Sequence, residues 1–127
     1  MAVKVAINGF GRIGRLVLRA LVESGRTDIE PMLINDLGSV EANAHLLRYD
    51  SVHGRFPGEV VVAGDAITLH HAGRAWGPIR VTAEHDPARL PLTGIDVAME
   101  CTGHFTSKEK AAPLLAAGAR KVLISDP

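Results

Sequence analysis

Three glycines stand at Gly9, Gly11 and Gly14 in "VKVAINGFGRIGR", directly behind a short β-branched run. In a G-x-G-x-x-G loop between a strand and a helix, the first glycine permits a tight turn. The second lets backbone approach a pyrophosphate, and the third lets the helix pack close on the strand. A helix opening there presents free N–H groups at Arg12 and Ile13, which attract a phosphate together with the helix dipole. Alone the spacing is a weak signal, because a purely structural turn gives the same pattern. Its neighbours add weight. Asp36 closes the next apolar run, 22 residues past Gly14, close to the spacing of about 20 at which an acid meets a dinucleotide ribose. A carboxylate at that point accepts hydrogen bonds from the adenosine ribose and repels a 2′-phosphate, which favours NAD over NADP.

A second glycine loop, "CTGHF", ends a later apolar run. At the carboxyl end of a parallel strand, Thr102 and Gly103 would approach the rest of the dinucleotide. An ordinary strand-to-helix turn accounts for this loop equally well. Cys101 and His104 are three residues apart, but a thiolate–imidazole pair is assembled by the fold and not by sequence proximity. A cysteine closing an apolar strand is expected as a small buried hydrophobe. His70 and His71 alternate across a strand, and His45 and His53 lack a completing ligand, so no metal site is expected. Trp76, beside Gly77-Pro78, is expected to pack at a turn.

The elements that must carry these loops follow from periodicity. "VKVAIN" (3–8) reads as a strand buried on both faces. "RIGRLVLRALVESG" (12–25) reads as a helix with Ile13, Val17, Leu18 and Leu21 inward, Arg15 and Arg19 on the surface, and Gly25 at its end. "IEPMLIND" (29–36) is a second strand, and such a β-α-β unit demands a right-handed crossover and a parallel sheet. Ser39 caps a helix over 39–50. "EVVVAGDAITLHH" reads as a hairpin about Gly64-Asp65, with "PIRVTAEH" a further strand, together an antiparallel insertion. "DPARL" is one helical turn capped by Asp86, and "IDVAMECTG" (95–103) is a strand. "TSKEKAAPLLAAGA" is a helix with a Thr106–Glu109 capping box and a kink expected at Pro113, and "KVLIS" is the last strand. The fold class is α/β, a Rossmann-type doubly wound, mostly parallel sheet with an antiparallel β insertion in the middle.

Composition is that of an ordinary globular chain of 127 residues, 46% hydrophobic and 22% charged. Lys plus Arg equals Asp plus Glu at 14 each, so no basic field calls for nucleic acid. No apolar run approaches the ~18 residues that span a bilayer, and the first residues lack a signal-peptide pattern. A single cysteine excludes an internal disulfide framework. The expectation is a cytoplasmic domain without membrane or nucleic-acid partners.

In their order, "AINGFGRIGR", "IND", "HLLRYDSVHGRFPGEV", "TAEHDP", "ECTGHFTSKEKA" and "GARKVLIS" resemble the first part of a phosphorylating glyceraldehyde-3-phosphate dehydrogenase, over essentially the whole chain. Ser51-Val52 distinguishes it from the related erythrose-4-phosphate dehydrogenase, which tends to carry Thr-Ser there and stands as the alternative. A further alternative is a non-enzymatic NAD-binding or oligomerisation module. The resemblance implies that Arg12 and Ile13 bind pyrophosphate through backbone N–H groups and that Asp36 holds the adenosine ribose. It implies that the His85 carbonyl meets the adenine edge, that Thr102 and Gly103 lie along the nicotinamide half, and that Ser125 borders the nicotinamide pocket. The sequence departs from the family pattern at His104, Pro113 and Asp126. In this family the nucleophilic cysteine lies in a later S-C-T-T-N stretch, and the base histidine and phosphate-binding arginines come later still. The expectation is therefore an NAD-binding domain over 1–127, with the catalytic domain absent from this chain and no catalytic residue within it. Alone it should be inactive, and the intact family member is a homotetramer that oxidises and phosphorylates glyceraldehyde 3-phosphate in glycolysis.

Overall fold

The computed structural model describes residues 2–50, 54–102 and 108–124. Its elements in chain order are β1 (Val3–Asn8), α1 (Arg12–Glu23), β2 (Ile29–Asn35), α2 (Val40–Arg48), β3 (Tyr49–Asp50), β4 (Gly54–Arg55), β5 (Glu59–Ala63), β6 (Ala66–His71), β7 (Arg74–Thr82), β8 (Val97–Glu100), α3 (Lys108–Ala116) and β9 (Lys121–Ile124), with a 3-10 turn at Pro87–Arg89. Among the described residues, seven strands form one sheet in the order β5-β6-β7-β2-β1-β8-β9, and β3 pairs with β4 apart from it.

β1 lies between β2 and β8, parallel to both. Its alternation serves two cores at once. Val5 and Ile7 face a cluster with Ile34 of β2, Leu18 and Val22 of α1 and Leu47 of α2. Ala6 faces a second cluster with Leu33, Leu90, Leu92 and Leu114, closed by α3. From Val5 onward both faces of this central parallel strand are withdrawn from water, which is why Val5, Ala6 and Ile7 run apolar without alternation, while Val3 and Lys4 stay exposed. β2, β8 and β9 extend the parallel set, and β7 joins it through Arg80–Thr82 beside Leu33–Asn35. The antiparallel insertion is β5-β6-β7, with the hairpin about Gly64-Asp65 as expected. β7 belongs to both systems, antiparallel to β6 on one side and parallel to β2 on the other.

Several boundaries differ from the sequence expectation. α1 ends at Glu23, with Ser24 as C-cap and Gly25 beyond it. α2 ends at Arg48 because Tyr49 turns to extended backbone. β8 spans only Val97–Glu100. α3 continues through Pro113, whose carbonyl accepts from the Ala117 N–H at 2.9 Å. Thr106 of the expected capping box lies outside the described residues. Ser39 and Asp86 do cap as expected, accepting from the Ala42 and Ala88 N–H groups at 3.0 and 3.1 Å.

Arg19 and Trp76 are placed against expectation. Arg19 is buried and not on the surface, because the chain at β4 arrives over α1 with carbonyls to satisfy. Its guanidinium donates to the Gly54 carbonyl at 2.8 Å, reaches Glu23 at 3.3 Å and lies 5.7 Å from the Phe56 ring centroid. Trp76 packs as expected, but inside β7 and not at a turn; its indole N–H donates to the Arg26 carbonyl at 3.1 Å. Cys101 joins the first apolar cluster as the small buried hydrophobe foreseen.

Candidate functional site

The chain leaves β1 for β2 on one side and later returns as β8 on the other. Beyond the carboxyl end of β1 the connections therefore part, and a crevice forms at such a switch point in a doubly wound sheet. The glycine loop sits there.

Gly9 turns the chain with a φ of +96°, and its N–H donates to the Asn35 carbonyl at 2.8 Å. A Cβ at Gly9 would lie 2.7 Å from the Thr102 nitrogen, so the first loop is pressed against the end of β8. At Gly14 a Cβ would lie 2.4 Å from the Gly9 carbonyl oxygen, so the helix start is seated directly on the turn. Gly11 is the opposite case: nothing lies within 4 Å of a Cβ built there. It is the N-cap of α1, it offers no side-chain cap, and no acidic residue occupies the first turn. The start of α1 thus has neither a side-chain cap nor a counter-charge of its own, and the space over Gly11 is open. The side chains of Arg12 and Ile13 are exposed, Ile13 by 49%, which departs from its expected place on the inward face. What this pair offers the crevice is backbone.

Asp36 stands across from the loop. Its own N–H donates to the Thr82 carbonyl at 2.9 Å. Its carboxylate accepts from the Phe10 N–H and the Gly38 N–H, each at 3.2 Å. One side chain thus ties the glycine loop to the turn after β2, with further lone pairs on both oxygens for hydroxyl donors.

These groups enclose a cleft of about 330 Å³, walled by Gly9 and Gly11 on the loop, Asp36 and Leu37 after β2, Glu84 and His85 after β7, and Cys101 and Thr102 after β8. Of the residues expected from sequence, the fold brings Gly9, Gly11, Asp36, His85 and Thr102 to one cleft. Arg12, Ile13 and Gly14 are not among the residues that line it: Arg12 and Ile13 follow Gly11 at the start of α1, and Gly14 packs on the Gly9 carbonyl. Gly103 and Ser125 lie outside the described residues, as do His104 and Asp126. A wider groove of about 500 Å³ opens at the amino ends of β2 and β7, beside Glu30 and Trp76, far from the helix start.

Sequence inspection overlooks what floors the cleft. The Asn8 amide donates to Glu100 at 2.9 Å, and the Asn35 amide donates to the Asn8 oxygen at 2.9 Å. The Asn35 oxygen accepts from the Thr82 hydroxyl at 2.7 Å and the Glu84 N–H at 2.8 Å. Glu100 also accepts from the Thr102 hydroxyl at 2.6 Å and the Thr102 N–H at 3.1 Å. Asn8, Asn35 and Glu100 are all buried. A signal for them exists in the sequence: the apolar runs "VKVAIN", "IEPMLIN" and "DVAME" all end on a polar side chain.

Residues 3–108 match the family described as glyceraldehyde 3-phosphate dehydrogenase, NAD binding domain. Over its whole length the chain is 68% identical to a glyceraldehyde-3-phosphate dehydrogenase of Xanthobacter flavus and 65% identical to one of Cereibacter sphaeroides. It is 50% identical, again over its whole length, to the enzyme of that name from Geobacillus stearothermophilus. The chain spans 37% of the length of the first two relatives and 36% of the third. The uncapped helix start, the space over Gly11 and the carboxylate of Asp36 all fit an NAD cofactor. The chain belongs to the glyceraldehyde 3-phosphate dehydrogenase family, of which it carries the NAD-binding domain.

Proposed function

We propose that this chain is the cofactor-holding part of an enzyme that oxidises and phosphorylates glyceraldehyde 3-phosphate, and that 1–127 forms its NAD-binding domain. NAD, when bound, supplies the hydride acceptor. The chain's own residues bind and orient it. The N–H groups of Arg12 and Ile13 donate to the pyrophosphate over Gly11, where the helix dipole favours negative charge. Asp36 accepts from the adenosine ribose hydroxyls, and its charge disfavours a 2′-phosphate. As the family resemblance implies, the His85 carbonyl would hold the adenine, and Thr102, Gly103 and Ser125 would hold the nicotinamide half. The observation that carries this assignment is the meeting of an uncapped helix start and the Asp36 carboxylate across one cleft.

No described residue is assigned to the aldehyde chemistry. Cys101, just past β8, packs in the first apolar cluster at the edge of the cleft, and the family resemblance assigns the reaction's thiolate to a later S-C-T-T-N stretch. The family relationship supports a homotetramer and a cytoplasmic location. Among the described residues no helix is long and apolar enough to cross a membrane.

Titration calorimetry tests the assignment. NAD should bind the chain at least tenfold more tightly than NADP. Asp36→Asn should weaken NAD by about tenfold or more, since a hydrogen bond to a charged group contributes about 1.5–3 kcal/mol. No heat from NAD, or equal affinity for the two nucleotides, would overturn it.

A further inference from the structure

We propose that Asn8 and Glu100 are positioning residues that set the distance between the adenosine and nicotinamide halves of the cleft. The proposal rests on the NAD reading above and adds to it a coupling between its two walls. The wall after β7, at Glu84 and His85, is fixed to Asn35, whose side chain bonds both the N–H and the carbonyl of Glu84 at 2.8 and 2.9 Å. The wall after β8, at Thr102, is fixed to Glu100 through its N–H and its hydroxyl. The Asn35–Asn8 and Asn8–Glu100 hydrogen bonds, each 2.9 Å, join these two anchors, beside the backbone bonds from the Gly9 N–H to the Asn35 carbonyl and from the Cys101 N–H to the Asn8 carbonyl, each 2.8 Å. The relay thus crosses the ends of four neighbouring strands, β7, β2, β1 and β8.

Its burial matters. Asn8, Asn35 and Glu100 are 5%, 4% and 2% exposed, so water does not replace a bond lost between them, and the groups left facing each other must move apart. That movement changes the span from Asp36 and His85 to Thr102. A ligand reaching across both walls registers the change, and one reaching only the adenosine wall does not. NAD is the first kind and AMP the second. A residue that only stabilised the fold would weaken both alike.

The Asn8–Glu100 bond can be reversed without changing shape. Asn8→Asp removes the donor that faces Glu100 and keeps the acceptor that faces Asn35. Glu100→Gln keeps an oxygen for Thr102 and turns a donor toward Asn8. Either change alone sets like groups against each other; together they restore a bond of opposite polarity, and the pair forms a double-mutant cycle. Calorimetry on the full chain with NAD and with AMP is the assay. Each single variant should lose about tenfold in NAD affinity, one hydrogen bond's worth, while AMP stays within about twofold. The double variant should regain NAD affinity to within about threefold of the parent.

Equal losses for NAD and AMP, no loss for either, or no recovery in the double variant would overturn the positioning role. Should a single variant fail to fold, the double variant decides alone: an NAD-to-AMP affinity ratio within threefold of the parent upholds the coupling, and a larger shift overturns it. Failure of the parent chain to bind NAD would instead bring down the cofactor assignment, and this inference with it.

Discussion

Replacing Gly14 with alanine sets two effects of opposite sign against each other. Gly14 lies in the first turn of α1, where alanine is preferred over glycine by about 1 kcal/mol on helix propensity alone. The added methyl, however, lies 2.4 Å from the Gly9 carbonyl oxygen and 3.2 Å from Cγ2 of Ile7, against an ordinary contact of 3.4 Å or more. About 1 Å must be found, and neither side yields it readily. Gly9 is held by the Asn35 carbonyl at 2.8 Å and backs onto Thr102 and Cys101. α1 is anchored farther along by Leu18 and Val22, both fully buried. Overpacking of this kind costs about 1–3 kcal/mol, and with backbone on both sides the upper end applies. After the propensity gain a net loss of about 2 kcal/mol remains, which lowers Tm by roughly 5–10 °C for a chain of this size. Thermal unfolding followed by circular dichroism measures it. An unchanged or raised Tm would mean that propensity wins and that the helix is not seated tightly on the turn.

Gly11→Ala should behave in the opposite way: the entropic gain of about 0.4–1 kcal/mol is offset by alanine's poorer fit at an N-cap, so stability should change little, while NAD affinity by calorimetry should fall about tenfold because the methyl occupies the space assigned to the pyrophosphate. Arg19→Met should cost about 1 kcal/mol in urea unfolding, the net value of the hydrogen bond its buried guanidinium gives to the carbonyl of exposed Gly54. Trp76→Phe should cost about 1 kcal/mol by the same measurement, the value of the single bond to the Arg26 carbonyl, with NAD affinity unchanged because the groove beside Trp76 lies at the far end of the strands.

Much of the cofactor cleft is legible in the sequence because its rules are local. The turn at Gly9 needs a left-handed φ, the helix start at Gly11 must stay bare, and Asp36 must end the next strand; each is a choice about a few neighbouring residues. The caps at Ser39 and Asp86 are readable for the same reason. Arg19 is not. Its spacing along α1 is that of a surface residue, and only the arrival of Gly54 and Arg55, more than thirty residues later, makes burial of its guanidinium favourable.

The buried relay is the clearest division between the two levels. Sequence by itself determined the parallel β-α-β unit, the glycine loop, the acid opposite it and the family to which they belong, since backbone preference and periodicity act over a turn or a strand. It also left three apolar runs ending on Asn8, Asn35 and Glu100 without saying that they meet. Tertiary structure decided that. Asn8 and Glu100 are 92 residues apart, and they share a hydrogen bond only because the strand order sets β8 beside β1 in register, with Asn8 opposite Glu100. Strand order is fixed by which apolar faces the helices can cover together, a property of the whole chain and not of any segment of it.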